Sequence, residues 1–556
     1  MIINKINKNP AYLHQSRPLL LILSTLLWLS NATAHEIITR VSINANDIGG
    51  NHSSKSPAIS GDGRYIAFQS DATNLVSNDN NDFTDIFVYD RQTRQIRRIS
   101  VNSNGTEGNF VSFFPAISSD GHYITYQSDA TNLVENDNNR TTDIFVHELK
   151  TGITQLISVD SNGQPGNSTS SEPAISANGQ HIAFYSNATN LVKKDTNRNL
   201  DVFVHDRETG ETARVSISSE GLQANGTSFG AAISAKGDYI AFSSNATNLV
   251  KNDNNETTDI FIHNRQTGET TLVSLSSDGQ LGNDSSFNAS LSADGRYVAF
   301  SSRATNLVDD DTNEAEDIFL HDRQTHETVR VSINSRGQQA DGRSFGSRLS
   351  ADGRYIAFNS DANNLVADDY NNSTDVFIHD YQTKQTQRLT LASQSDTYTP
   401  ASSYAPAITN DGRWVTFESK AWNLVANDLN EVSDIFIYDR AYYASYEIAT
   451  GVLYIPILTV QPENQLYRAK LQAVPDSRHT RFTLEKTSAF FIPLENIPTS
   501  YTTDTGILHL PGVDIINPPT EIQQFEVKMT TNSEMTEFTR IELNPIQGAI
   551  WKEPKP

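Results

Sequence analysis

No cysteine occurs anywhere in the 556 residues. That excludes a disulfide framework, a thiolate zinc site, an iron–sulfur cluster and a cysteine nucleophile. Basic residues are few beside acidic ones, 42 Lys and Arg against 66 Asp and Glu, for a formal net charge of -24. Phosphate recognition needs clustered positive charge, so nucleic acid is not an expected partner. Long apolar runs are almost absent, and the mean hydropathy of -0.47 excludes a bundle of membrane helices.

The one apolar run lies near the start. Lys5, Lys8 and Arg17 precede Leu19 to Leu29 (LLLILSTLLWL), and Ala32-Thr33-Ala34 comes after it as a small-x-small pattern. Residues 1–34 therefore read as a secretory signal peptide cleaved after Ala34, with an uncleaved anchor as the alternative. Cleavage removes those three basic residues and no acidic one, taking the net charge from -24 to -27. The expected location is periplasmic or extracellular, with no transmembrane anchor after cleavage.

Downstream of residue 34 the chain repeats one unit seven times. Asp62-Gly63 returns as Asp120-Gly121, Asn178-Gly179, Lys236-Gly237, Asp294-Gly295, Asp352-Gly353 and Asp411-Gly412. The spacing is 58 residues, and 59 in the last step. Asn-Leu-Val recurs with it, from Asn74 to Asn423. Each unit reads as four short strands. In the first they are Ser56 to Ser60, a tight Asp62-Gly63 hairpin with both residues at positive φ, Tyr65 to Ser70, a 14-residue loop, Asp85 to Arg91, and Ile96 to Val101.

A four-stranded meander cannot bury both its faces alone, and radial stacking solves that problem. The expected fold is all-β, a seven-bladed β-propeller over residues 35–440. The fourth-strand pattern first appears at Thr39-Arg40-Val41-Ser42-Ile43, before the first hairpin, and the seventh unit ends at Arg440 without a clear copy. The N-terminal strand is thus expected to complete the last blade, with Tyr446-Glu447-Ile448 as the alternative.

The pattern I-S-x-D-G-x-Y-I-A-F-x-S, then D-I-F-V-x-D-x-x-T and R-V-S, resembles the WD40-like PD40 repeat of TolB-type propellers over residues 37–440. The resemblance implies a periplasmic or secreted binding scaffold, or an accessory domain of a serine peptidase. Residues 441–556 form a separate C-terminal module. Thr450-Gly451-Val452-Leu453-Tyr454-Ile455-Pro456 matches Thr505-Gly506-Ile507-Leu508-His509-Leu510-Pro511, so two weak repeats of a β-sandwich-like module are expected.

The long loop carries the strongest candidate site. In every unit it ends Asp-x-Asn-x-x-x-Asp: Asp79/Asn81/Asp85, Asp137/Asn139/Asp143, Asp195/Asn197/Asp201, Asp253/Asn255/Asp259, Asp311/Asn313/Asp317, Asp369/Asn371/Asp375 and Asp428/Asn430/Asp434. Oxygen ligands at positions 1, 3 and 7 suit a hard cation such as calcium. The same residues also cap turns by accepting backbone N–H bonds, and both readings stand. No cofactor other than calcium is suggested. The Asp-rich loops and the blade-to-blade loops share one face of the meander, which reads as an acidic surface for a cationic partner.

Other motifs carry less. His147, His205, His263, His321 and His379 fill one repeat position, with Tyr89 and Tyr438 in the other units, which suits packing between blades. GxSxG around Ser228 and Ser344 lacks the strand–turn–helix of a nucleophile elbow. At the inner-strand position of Ala58, Ala116, Ala174, Ala232, Ser290 and Ala407, one unit has Arg348, a candidate for the channel. Trp414 and Trp422 are peculiar to the seventh unit. The function expected is an exported, monomeric, non-enzymatic scaffold that binds through its acidic loop face. Alternatives are a propeller enzyme acting on extracellular polysaccharide or peptide, and a calcium-dependent surface adhesion protein.

Overall fold

The computed structural model describes residues 38–440, apart from 367–368, 391–400 and 427, and the strands of a module beyond residue 440. The leader expected at residues 1–34 lies outside the described residues. No helix among the described residues is long and apolar enough to cross a membrane.

Seven antiparallel four-stranded sheets form the ring. In blade 1 the inner strand is Ser54–Ile59, followed by Tyr65–Ser70, Asp85–Asp90 and the outer strand Gln95–Arg98. The closing strand Ile38–Arg40 pairs with Asp434–Asp439 of blade 7, with Ile38 opposite Tyr438 and Arg40 opposite Phe436. The ring is closed as the repeat phase requires. Ala444–Glu447, the alternative, pairs instead within the C-terminal sheet.

The inner strand begins two residues earlier than the alternation suggests, because it contains a bulge. Register shifts between Lys55 and Ala58, and Ser56 sits at φ 52°. The bulge recurs at Phe114, Glu172, Gly230, Asn288, Gly346 and Ala405, all at positive φ. The hairpin also differs from expectation. Only its glycine is left-handed, Gly63 at φ 74°, with its N–H bonded to the Ser60 carbonyl at 2.9 Å. Asp62 keeps a negative φ and accepts from Ser60 Oγ at 2.6 Å and Arg64 N at 2.9 Å. That division of labour explains why Lys236 can stand at the aspartate's place while the glycine recurs in every copy.

The core lies between blades. Val41, Ile59, Ile66, Phe68, Leu75 and Phe87 pack with Ile435 and Ile437 of blade 7. Phe68 stacks on Phe87 with ring centroids 6.1 Å apart, and equivalent pairs recur around the ring. Each buried phenylalanine contributes roughly 1.5–3 kcal/mol by removing apolar area from water. The Asn-Leu-Val motif serves the same seam: Leu75 is buried, while Asn74 donates to the Gly49 carbonyl at 3.0 Å and accepts from Asn51 N at 2.9 Å. At the hairpin end a belt of backbone bonds joins neighbouring turns, through Gly61 to Ser119, Ala177 to Ala235, Ala235 to Ala293, Ala293 to Ala351, Ala351 to Asn410 and Asn410 to Gly61.

Beyond the propeller, eight strands form one sheet. Val452–Gln461, Gln465–Ala473 and Phe482–Phe490 make one meander, and Ile507–Ile516, Gln524–Thr531 and Glu537–Pro545 the other. The two weak sequence repeats are these two meanders, joined edge to edge at Phe482–Phe490 and Glu537–Pro545.

Because the closing strand shields Ile435 and Ile437, deleting residues 35–43 is expected to lower the melting temperature by several degrees, the effect of losing a few kcal/mol in a ring of this size. A chain closed at Ala444–Glu447 would show an unchanged midpoint in the same thermal melt.

Candidate functional site

The Asp-x-Asn-x-x-x-Asp loops fold inward. The last aspartate opens the third strand and is fully buried in every blade: Asp85, Asp143, Asp201, Asp259, Asp317, Asp375 and Asp434. Its first carboxylate oxygen accepts the hydroxyl of the residue two positions beyond the outer strand. The donors include Ser100, Ser158 at 2.5 Å, Ser216 and Ser274 at 2.6 Å, and Thr390.

The middle asparagines cap turns in all seven loops. Each side-chain oxygen accepts the backbone N–H two residues on. Asn81 accepts from Phe83 at 2.9 Å, Asn139 from Thr141 at 3.1 Å, Asn197 from Asn199 at 3.2 Å and Asn255 from Thr257 at 3.3 Å. Asn313 accepts from Ala315 at 3.0 Å, Asn371 from Ser373 at 3.0 Å and Asn430 from Val432 at 3.4 Å. In six blades the amide end faces the last aspartate and donates to it. Asn81 reaches Asp85 Oδ2 at 3.3 Å, Asn197 reaches Asp201 at 2.9 Å, and Asn255 reaches Asp259 at 2.8 Å. Asn313 reaches Asp317 at 3.0 Å, Asn371 reaches Asp375 at 2.8 Å and Asn430 reaches Asp434 at 2.8 Å. The same amides donate to carbonyls of the next blade-to-blade loop, such as Gly108, Gly166, Ala224, Gly282, Ala340 and Gly50.

A group outside the loop joins the two aspartates. Arg98, on the outer strand, reaches Asp79 at 3.1 Å, Asp85 at 3.3 Å and Glu107 at 2.7 Å. Arg40 joins Asp428 to Asp434, Arg214 joins Asp195 to Asp201, Arg330 joins Asp311 to Asp317, and Arg388 joins Asp369 to Asp375. In these five blades a guanidinium holds the place expected for a cation. Burial pushes the carboxyl groups of Asp85, Asp317 and Asp375 up to about 6 against the hydroxyl and guanidinium that hold them down. Burial likewise raises Asp143 to about 7 and Asp253 to about 6. Among the described residues no three His, Asp or Glu side chains gather as a metal-binding group.

This geometry changes the character of the shared loop face. The repeated aspartates point into the protein, and five pairs are bound to arginine. The charge left exposed there is irregular, with Asp82, Glu135, Glu256, Asp309, Asp310 and Glu314 interleaved with Arg140, Lys193, Lys194, Arg198 and Lys251.

The five histidines form relays between blades. Nδ1 of His205 lies 2.9 Å from Thr212 Oγ1, and that hydroxyl donates to the Val159 carbonyl at 2.5 Å. Since the hydroxyl proton is committed to the carbonyl, Nδ1 must carry the proton it shares with Thr212. His147, His263, His321 and His379 repeat the arrangement with Thr154, Thr270, Thr328 and Thr386. Burial pushes all five imidazoles down to about 4.

Ser228 and Ser344, the centres of the two GxSxG matches, begin inner strands. Each shares a 2.9 Å bond with a serine of the second strand, Ser244 and Ser360. The bond equals that between Ser54 and Ser70 in blade 1, so these serines are structural.

The channel holds a group that the comparison at Ala58 misses. Arg348 of blade 6 and Glu172 of blade 3 attract each other electrostatically. Blades that far apart in the ring face each other only across the axis. Burial raises the Glu172 carboxyl, while the Tyr185 hydroxyl and Arg348 oppose the rise, and Tyr185 is itself pushed up to about 12, chiefly by burial. Glu172 occupies the bulge position and Tyr185 the position of Gln69 and Gln127, whose side chains accept the bulge N–H of the next blade. Glu418 does the same for Ser56 at 2.7 Å. Comparison of those two repeat positions picks out Glu172, Tyr185 and Glu418 in the sequence.

Exposed apolar side chains break the symmetry on the loop face. One repeat position reads Asn80, Asn138, Thr196, Asn254 and Thr312, then Tyr370 and Leu429, which are 75% and 85% exposed. Trp422, 58% exposed, stands where blades 1 to 5 have threonine. Ile48 and Phe110 are also exposed, and Phe110 packs against Phe83 with the rings tilted and their centroids 4.9 Å apart. These residues belong to blades 6, 7 and 1 and the loops leaving blades 7 and 1; among the described residues elsewhere on the face, Leu222 stands alone.

No family model and no curated protein matches the chain. Solved structures similar to it include an oligogalacturonate lyase in complex with manganese, 13% identical with a TM-score of 0.43, covering 72% of this chain and 92% of that one. TolB from Acinetobacter baumannii is 14% identical with a TM-score of 0.33, covering 64% and 76%. The propeller domain of the Trilobed protease from Pyrococcus furiosus is 12% identical with a TM-score of 0.43, covering 70% and 96%. TolB and other propeller proteins are thus among its structural neighbours, and the likeness is one of fold.

The histidine relays have a measurable signature. An ordinary imidazole is mostly charged at pH 5.5, below its usual value of about 6.5. The five relay histidines are expected to stay neutral there and to titrate near pH 4, with Nδ1 protonated, in a ring nitrogen NMR titration. Five rings titrating at the ordinary value would contradict the relay. Each depressed imidazole adds stability that is fully present above about pH 6.5 and lost as pH falls toward about 4.

Proposed function

We propose that this chain is an exported, non-enzymatic scaffold, periplasmic or extracellular, that binds a protein or polymer partner on its loop face at blades 6, 7 and 1. The observation that carries this reading is the apolar sector of Tyr370, Trp422, Leu429, Ile48 and Phe110, set where the other blades carry mostly small polar residues. Large exposed apolar side chains on a repeat otherwise tuned for solubility mark an interaction surface. Aromatic anchors surrounded by polar residues supply most of the energy of such contacts. The mixed charge around the sector supplies orientation and on-rate, and the expected partner is no longer simply cationic.

A second reading rests on the channel. Glu172, Tyr185 and Arg348 put a proton donor or acceptor beside a fixed positive charge, as an enzyme acting on an anionic extracellular polymer would need. Under that reading Arg348→Gln abolishes turnover of the polymer while the loop-face sector can be changed freely.

The scaffold reading is tested by capture from the exported fraction of the source cells. Tyr370→Ser, Trp422→Ser and Leu429→Ser together are expected to reduce recovery of the partner at least about tenfold, the effect of losing one or more hot spots. A control variant, Asn138→Ser, is expected to retain it. Equal recovery by the triple variant and the wild type would move the binding surface elsewhere.

A further inference from the structure

The outer-strand position occupied by Arg40, Arg98, Arg214, Arg330 and Arg388 is Leu156 in blade 2 and Leu272 in blade 4. Where arginine is present, a guanidinium nitrogen lies 2.7 to 3.7 Å from both aspartates. Blade 2 retains both carboxylates without that charge. Asp137 is only 6% exposed, and neither of its oxygens meets a hydrogen-bond donor in good geometry. The Asn139 backbone amide is the favourable group close to it. Asp143 is fully buried, and its Oδ2 also lacks a donor in good geometry.

A second difference travels with the first. Two residues before the last aspartate, blades 2 and 4 have Thr141 and Thr257. The other five have Phe83, Asn199, Ala315, Ser373 and Val432. Both threonine hydroxyls are buried with no partner in good geometry, and Thr257 stands beside the Asp259 carboxylate. The two blades that lose the arginine are therefore the two that carry a threonine hydroxyl at this position, in blade 4 beside the Asp259 carboxylate. Two adjacent buried carboxylates cannot both stay ionised without a counter-charge. A hydroxyl oxygen can join two carboxylates in the all-oxygen shell of a hard cation.

We propose that blades 2 and 4 each bind a divalent cation of the calcium class at the place the guanidinium takes elsewhere. Asp137, Thr141 and Asp143 supply the oxygens in blade 2, and Asp253, Thr257 and Asp259 in blade 4. Two carboxylates match a double charge, and an all-oxygen donor set favours calcium over zinc or copper. Backbone carbonyls and water complete such a shell. Calcium binding is thereby confined to the two loops without arginine, and it is independent of the partner surface.

The test uses the purified protein, first stripped with a chelator and then exchanged into chelator-free buffer. Isothermal titration with calcium chloride is expected to give two sites per chain, and calcium is expected to raise the melting temperature by several degrees over the chelated sample. The Leu156→Arg/Leu272→Arg variant supplies its own cations, so its melting temperature is expected not to respond to calcium. In the converse variant, Phe83→Thr with Arg98→Leu, a third site is expected. An unchanged wild-type midpoint in millimolar calcium would overturn the proposal, leaving the carboxyl pair to share a proton. An undiminished calcium response in the double arginine variant would overturn it too, by placing the binding elsewhere.

Discussion

Each blade is organised around one buried aspartate that opens its third strand. The carboxylate receives a hydroxyl from beyond the outer strand, and in five blades an arginine from that strand. In most blades it also receives an asparagine amide from its own loop. Through it the long loop, the third strand and the outer strand become one unit. The cost of holding that charge in the interior dictates what surrounds it. An ion pair stripped of one partner at such depth loses roughly 3–5 kcal/mol. The blade sequence varies mostly at its surface, and within this arrangement the aspartates stay while the arginine gives way to Leu156 and Leu272. In blade 7 the arginine and the hydroxyl are Arg40 and Ser42, on the strand that closes the ring. The same charge pairing thus helps fasten the two ends of the propeller.

This constraint relocates much of the protein's acidity. The repeated aspartates that would make a uniform anionic face are held inside the blades. The surface left over differs from blade to blade, and those differences are where specificity can reside. The hairpin end is tied by a belt of backbone bonds, and the histidine relays commit the outer edges. The loop face therefore carries the variation: polar over most of blades 1 to 5, apolar across blades 6, 7 and 1. The channel holds the other departure from symmetry, a carboxylate, a phenol and a guanidinium drawn from blades 3 and 6.

The repeat made most of the fold legible. Blade count, strand order and closure by Thr39 to Ile43 all follow from periodicity and phase, because a strand missing at one end and extra at the other has one economical use. Alternation could not show the bulge at Ser56, since a residue in left-handed conformation leaves the apolar pattern of its neighbours intact. It also hid Glu172, which sits at the bulge position rather than at that of Ala58. The aspartates were legible as a site, but their partner was not. Spacing relates residues within one loop, while the counter-charge comes from the outer strand, 13 residues beyond Asp85 at Arg98. Spacing was equally blind to which end of Asn81 and its equivalents faces the carboxylate. The alternation of Arg98 with Leu156 and Leu272 was visible in the sequence, and only geometry gave it meaning.

A buried aspartate pair in this fold needs a positive charge beside it. The most direct measurement of that need is the unfolding free energy of Leu156→Arg by urea titration in calcium-free buffer. A guanidinium placed between Asp137 and Asp143 is predicted to stabilise the protein by about 1–3 kcal/mol, the worth of charged hydrogen bonds to a group otherwise unsatisfied. A loss of stability of the size expected for removing a packed leucine would contradict it.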